Sequence, residues 1–185
     1  IAVRTLQPKA IVASGGSEYK ALRGDDHGVI ASGSDAATVI NAAIDYVKTG
    51  GGTLYICAGV YPINSTLNCQ NALYPVTIQG SGPATTLRCG SASASPVLNI
   101  SGCNNISVVD LLVDGNKLNI SPSSATTGIA ISNCNDVDVK SCQIICVPGT
   151  GMRISGGQTY ATTNVNVTNC RFYGMYGSGL HIDCT

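Results

Sequence analysis

Three stretches of the chain overlay on one another, and a fourth begins the same pattern. Val97–Ser101 matches Gly128–Ser132 and Gly151–Ser155, and Gly179–Asp183 starts again. A second block follows each of the first three: Ile106–Val113 aligns with Val137–Ile144 and with Val165–Phe172. The period is irregular, roughly 23 to 31 residues, and each unit holds two or three short strands separated by turns. A unit that short cannot bury an apolar face alone, so the units must stack. The repeat therefore predicts a parallel β-helix, one coil per unit.

Composition agrees with a narrow interior. The hydrophobic fraction is 44%, yet there is no Trp and only one Phe, so small and β-branched residues must fill the core. Charged residues make up 11%, against a usual share of about 25%, and the formal net charge is zero. No basic patch or aromatic-basic interleaving points to nucleic acid. No apolar run approaches the roughly 20 residues that span a bilayer. A surface rich in Asn, Ser, Thr and Gly suits a protein exposed outside a cell.

The 185 residues read as one domain. Residues 1–33 form an extended lead-in, in which Ala10–Ala13 and Tyr19–Leu22 flank the loop Ser14–Ser17 as a hairpin. Residues 34–185 hold a capping helix and the coils. Ser34 or Asp35 caps the helix, Val39, Ile40, Ala43, Ile44 and Val47 make its apolar face, and Gly50–Gly52 stops it. Strands follow at Thr53–Cys57, Val60–Ile63, Val76–Ile78 and Thr86–Leu87. The chain opens at Ile1 without Met, so a leader was removed or the chain was trimmed. At the other end Leu180–Ile182 begins a coil with nothing resembling a cap before Thr185. Bare solenoid ends expose strand edges, so either the native chain continues or another subunit covers that end.

A resemblance follows from these residues. Asp35–Ile44, then Gly50–Ile56, then Ala58–Tyr61 resembles the opening of the pectate-lyase-like superfamily of right-handed parallel β-helices. Gln79–Gly82 is similar to that superfamily's next turn, and Tyr19–Gly24 to lead-ins of tailspike-like and extracellular surface β-helix proteins. The likeness spans about residues 19 to 182. It implies an all-β, right-handed parallel β-helix (a β-solenoid) with an N-terminal capping α-helix. It leaves function open, because that superfamily holds lyases, hydrolases, epimerases, phage tailspikes and inert surface proteins.

Nine cysteines are many for this length. The overlay puts Cys103 on Cys134 in adjacent coils, and Cys142 on Cys170, with Leu111 one coil earlier. These are interior positions, so the four are either stacked buried thiols or inter-coil disulfides. Cys57, Cys69, Cys89, Cys146 and Cys184 find no clear partner, and an intermolecular bond at Cys184 is the other candidate linkage. No CxxC pair supports a zinc site; neither a metal nor a cofactor is expected.

Polysaccharide-cleaving β-helices work with converging carboxylates. Of the ten acids here only Glu18 is a Glu. Asp110 aligns with Ser141 and Asn169, Asp114 with Ile145 and Tyr173, and Asp136 and Asp138 share a coil. Asp114–Asn116 reads as a turn. His181 and Asp183, two apart on one strand face, are the one pair with a catalytic look. Asn64, Asn99, Asn105, Asn119 and Asn166 begin Asn-x-Ser/Thr sequons for N-glycosylation. Tyr160, Tyr173 and Tyr176 sit in neighbouring turns where aromatic rings could stack on sugars.

Three functions fit. The favoured expectation is an extracellular, cell-surface or virion-surface structural protein, a filament subunit or spike, associating head to tail through its uncapped end. In that arrangement Ile1–Ala13 of one copy adds a strand to the next. The second is a polysaccharide lyase or hydrolase of the pectate-lyase-like type. The third is a glycan-binding module without chemistry, resting on the tyrosines.

Overall fold

The computed structural model describes residues 7–120, 126–156 and 161–183. Strands β1 (Ala10–Ser14) and β2 (Tyr19–Arg23) form the expected antiparallel hairpin, with Ser14 opposite Tyr19. The lead-in holds a third strand, β3 (Val29–Gly33), antiparallel to β2. Helix α1 (Ala36–Lys48) follows. Asp35 caps it by accepting from the Thr38 backbone N–H at 2.9 Å and the Thr38 hydroxyl at 2.6 Å. Those bonds hold the Asp35 carboxyl below the usual carboxylate range, the Thr38 hydroxyl first. Ala36, Ala37, Val39, Ile40, Ala43, Ile44 and Val47 are buried, while Thr38 and Asp45 face outward. A Cβ on Gly51 would lie 2.8 Å from the Pro75 carbonyl oxygen, at φ +73°, so only glycine turns the chain there.

Five strand triplets follow, one per coil. They are β4 (Gly52–Ile56), β5 (Gly59–Ile63) and β6 (Leu67–Gln70); β7 (Val76–Gln79), β8 (Thr85–Cys89) and β9 (Leu98–Ser101); β10 (Asn104–Val109), β11 (Leu112–Asp114) and β12 (Thr127–Ser132); β13 (Asn135–Lys140), β14 (Gln143–Ile145) and β15 (Thr150–Ser155); β16 (Thr163–Thr168), β17 (Arg171–Tyr173) and β18 (Leu180–Asp183). The first member of each triplet joins one sheet, the second another and the third a third, all in parallel register. This is a parallel β-helix. In the first sheet β1 pairs in parallel with β4, so the hairpin extends that sheet beyond the first coil.

Alternation along each strand sends every second side chain inward, where equivalent residues stack. One column runs Leu54, Ile78, Val108, Val139, Val167. Others run Tyr61, Leu87, Val113, Ile144, Phe172 and Leu67, Leu98, Ile129, Met152, Leu180. Each fully buried Leu, Ile or Val contributes about 1.5–3 kcal/mol. Helix α1 packs into the same cluster and plugs the first coil.

The corners repeat as faithfully as the strands. Asn105, Asp136 and Asn164 stack at one bend, each at φ between 51° and 57°. Asp110, Ser141 and Asn169 stack at the next, at φ 53–54°. Asn71 and Asn133 hold a third bend with Gly102 between them. Asn and Asp tolerate this left-handed conformation best among residues with a side chain, so the abundant Asn of this chain sets where each coil turns.

Candidate functional site

The last coil carries the most distinctive chemistry. His181 and Asp183 lie on the outer face of β18, as their spacing predicts. Stacking adds a third member that no local spacing reveals: Arg153 on β15 is the register neighbour of His181. Asp183 Oδ2 accepts from Arg153 Nε at 2.7 Å and pairs with Nη2 at 2.6 Å, while His181 Nε2 lies 2.6 Å from Oδ1. Arg153 first and His181 second hold the Asp183 carboxyl below its ordinary value. Both carboxylate oxygens are engaged, so Asp183 serves as an anchor for the other two. An open depression of about 310 Å³ beside them is lined by Thr127, Gly149, Thr150, Arg153 and His181.

A second feature runs along the outer face of the first sheet. Thr77, Ser107, Asp138 and Asn166 form one row across four coils. With Pro75, Asn105, Asp136 and Asn164 they line an open groove of about 490 Å³. Asn164 Nδ2 donates to Asp136 at 2.9 Å, and Asn166 Nδ2 to Asp138 at 3.3 Å. Lys140 pairs with Asp138 at 3.0 Å and, as the largest influence, lowers its pKa. Each acid is tied to the coil beyond it by an amide. Asp110 stands at a corner, and Asp114 accepts from the Asn116 backbone N–H at 2.9 Å and from Arg88 Nε at 2.9 Å. The turn reading of Asp114–Asn116 is therefore observed.

The cysteines stack without bonding. Cys69, Cys89, Cys103, Cys134 and Cys142 are buried, and all eight described cysteines are free thiols. The disulfide reading of Cys103, Cys134, Cys142 and Cys170 is therefore corrected to stacked thiols. Carbonyls of the coil interior already take their S–H groups: Cys103 Sγ reaches the Cys69 carbonyl at 3.2 Å, and Cys134 Sγ the Ser132 carbonyl at 3.1 Å. Cys69, which the repeat left alone, stacks on Ile100, and its carbonyl accepts from Cys103. Its contact with Cys103 and its burial push its pKa up, and burial raises Cys142 to about 12. Cys170 is half-buried in the last coil. Among the described residues no three His, Cys, Asp or Glu side chains are placed to hold a metal ion.

The sequon asparagines divide. Asn64, Asn105, Asn119 and Asn166 are exposed, whereas Asn99 is half-buried and donates to Asn68 Oδ1 at 3.2 Å. Tyr173 and Tyr176 are exposed, and Lys117 Nζ lies 4.7 Å from the Tyr176 ring centre. Neither lines the groove of the first sheet. Tyr160, Cys184 and residues 1–6 lie outside the described residues.

The two ends of the solenoid differ. At the first coil α1 covers the interior and the hairpin extends the first sheet. Among the described residues β16, β17 and β18 of the last coil each pair with the coil before. Val165, Val167 and Phe172 are partly buried there, and Leu180 and Ile182 are 39% and 58% exposed although their equivalents one coil back, Met152 and Ile154, are buried. No described helix is long and apolar enough to cross a membrane. No family model matches the chain, and neither a curated protein nor a solved structure matches it.

Proposed function

We propose that this chain is part of a structural β-helix of a cell or virion exterior that self-associates. The observation that carries the reading is that the outer-face acids Asp136, Asp138 and Asp183 are each held by a neighbouring amide, Arg or His and serve as anchors between coils. The stacked coils make a continuous shaft, which suits a structural element. The exterior supports the location: its ladders are mostly neutral amides and hydroxyls, such as Asn68 with Asn99 and Ser101 with Ser132. Membership of the pectate-lyase-like superfamily is part of the same reading, supported by the capping helix, glycine turn and first coil in their expected order.

Negative-stain electron microscopy of the purified chain, with its mass in solution measured alongside, tests the reading. Particles longer than one solenoid, at a mass above one chain, are expected. Single short rods of one-chain mass at every concentration would contradict it.

A further inference from the structure

We infer that this chain self-associates through the outer face of its first sheet, two copies packing face to face with their solenoids antiparallel. The inference rests on the self-association reading above and names the surface that mediates it.

The lead-in strands widen the first sheet to eight strands, against five in each of the other two. Register places Val29, Leu22, Ile11, Tyr55, Gln79 and Val109 in one row across β3, β2, β1, β4, β7 and β10. The row points outward. Its neighbours along the strands, such as Ala10, Ala21, Leu54, Ile78 and Val108, fill the core, and the row's own side chains stay outside it. Val29 is 63% exposed. Ile11, Leu22, Tyr55 and Val109 are half-buried, because they lie flank to flank about 4.8 Å apart with their outer ends open. The Tyr55 hydroxyl shares a hydrogen bond with the Ser81 hydroxyl at 2.7 Å, which pins the ring on this face. The row is apolar or aromatic except at Gln79, and it holds no charge. Outward rows elsewhere differ: Asn68, Asn99, Ala130, Arg153 and His181 on the third sheet, and Pro62, Arg88, Asp114, Ile145 and Tyr173 on the second. A contiguous apolar row on an outer surface marks a contact.

The occupant this face fits is a second copy. The row offers no charge for a charged partner to answer, and Lys20 beside it is already paired with Glu18 at 3.4 Å. The strands from β3 to β10 along the row cover about 29 Å by 17 Å, roughly 500 Å² of each copy. Two copies together reach about 1,000 Å², the lower end for a specific interface, so the contact is weak and reversible.

Charge selects the orientation. A two-fold axis joining two such faces lies in the plane between them, along the row or along the strands. Along the row, it sets Lys140 over Lys140 and Asp138 over Asp138, like charge on like charge. Along the strands, between β1 and β4, it reverses the row. Ile11 then faces Tyr55 of the other copy, Leu22 faces Gln79 and Val29 faces Val109, while Lys140 falls beyond β3 in water. The later coils of the two copies point in opposite directions, so the particle is longer than one solenoid. No ladder gains a strand. The amides shielded are those on the outer edge of β3, which ends its sheet among the described residues.

Sedimentation equilibrium of the full chain over a wide concentration range tests this. The expected result is association that saturates at two chains per particle. Leu22→Lys and Gln79→Lys should each weaken the dimer about tenfold or more, whereas Val60→Lys, on the second sheet, should leave it unchanged. Gln79→Lys exchanges one exposed polar end for another, so it keeps the test if Leu22→Lys fails to fold. A mixture of Val29→Cys and Val109→Cys chains, treated with a short bis-maleimide and mapped by peptide, should link position 29 to position 109. Links from 29 to 29 would overturn the antiparallel orientation. A dimer indifferent to both lysine variants would overturn this face while leaving self-association standing. A single chain at all concentrations would overturn self-association itself.

Discussion

Asn41 of helix α1 closes the edge of β6 by imitating a strand. Its side-chain amide donates to the Thr66 carbonyl at 3.0 Å, and its side-chain carbonyl accepts from the Asn68 backbone N–H at 2.8 Å. One side chain therefore satisfies the two backbone groups that a neighbouring strand would have engaged. Replacing it with Leu leaves both without that partner in a half-buried place. Asn41→Leu should destabilise the fold by about 1–3 kcal/mol in urea denaturation. Asn41→Asp keeps one of the two bonds and should cost less.

The corners make a separate claim about conformation. Ser141 occupies a left-handed bend at φ 54°, between Asp110 and Asn169 in the stack. Ser141→Asn should be neutral or slightly stabilising. Ser141→Val should cost about 1–2 kcal/mol, because a β-branched side chain meets the following carbonyl there. Thermal unfolding of the two variants beside the parent measures the difference.

The cysteine column predicts a pattern of reactivity. In the native chain the thiol reagent DTNB should spare Cys69, Cys89, Cys103, Cys134 and Cys142, since none exposes its sulfur. After denaturation without reductant, all five should titrate as thiols. Peptide mapping that recovers Cys103 bonded to Cys134 would contradict the stacked arrangement.

Acid should act on the last coil through Asp183. Its carboxyl is lowered from 3.8 by Arg153 and then His181. A depressed acid stabilises the fold above its ordinary value and loses that contribution as pH falls through the lowered value. Asp183→Asn should therefore melt below the parent at pH 7, and the gap should close as the pH drops below 3.8. A gap that stays constant with pH would show that the carboxylate charge contributes nothing.

The repeat made the coil register legible in detail. Leu98, Ile129, Met152 and Leu180 stack as the overlay aligns them, as do Ile106, Val137 and Val165. Alternation constrains register strongly, since a slip of one residue turns every apolar side chain outward. The first coil was harder to read. Strand β6 carries Cys69 where the later coils carry Ile100, Ile131 and Ile154, so the apolar pattern is weaker there. The contact of Cys69 with Cys103 leaves no trace in the repeat, because the two are 34 residues apart and occupy different register positions. Arg153 was invisible as a partner of Asp183, because the two are 30 residues apart and meet only by stacking. Charged contacts in a solenoid follow coil spacing and leave no short motif.

The most direct test of the account is hydrogen–deuterium exchange followed amide by amide while the chain is diluted. If the chain self-associates as proposed, protection of an outer strand should rise with concentration, while the middle coils, β7 to β12, stay unchanged. Protection that is independent of concentration in every strand would contradict the account.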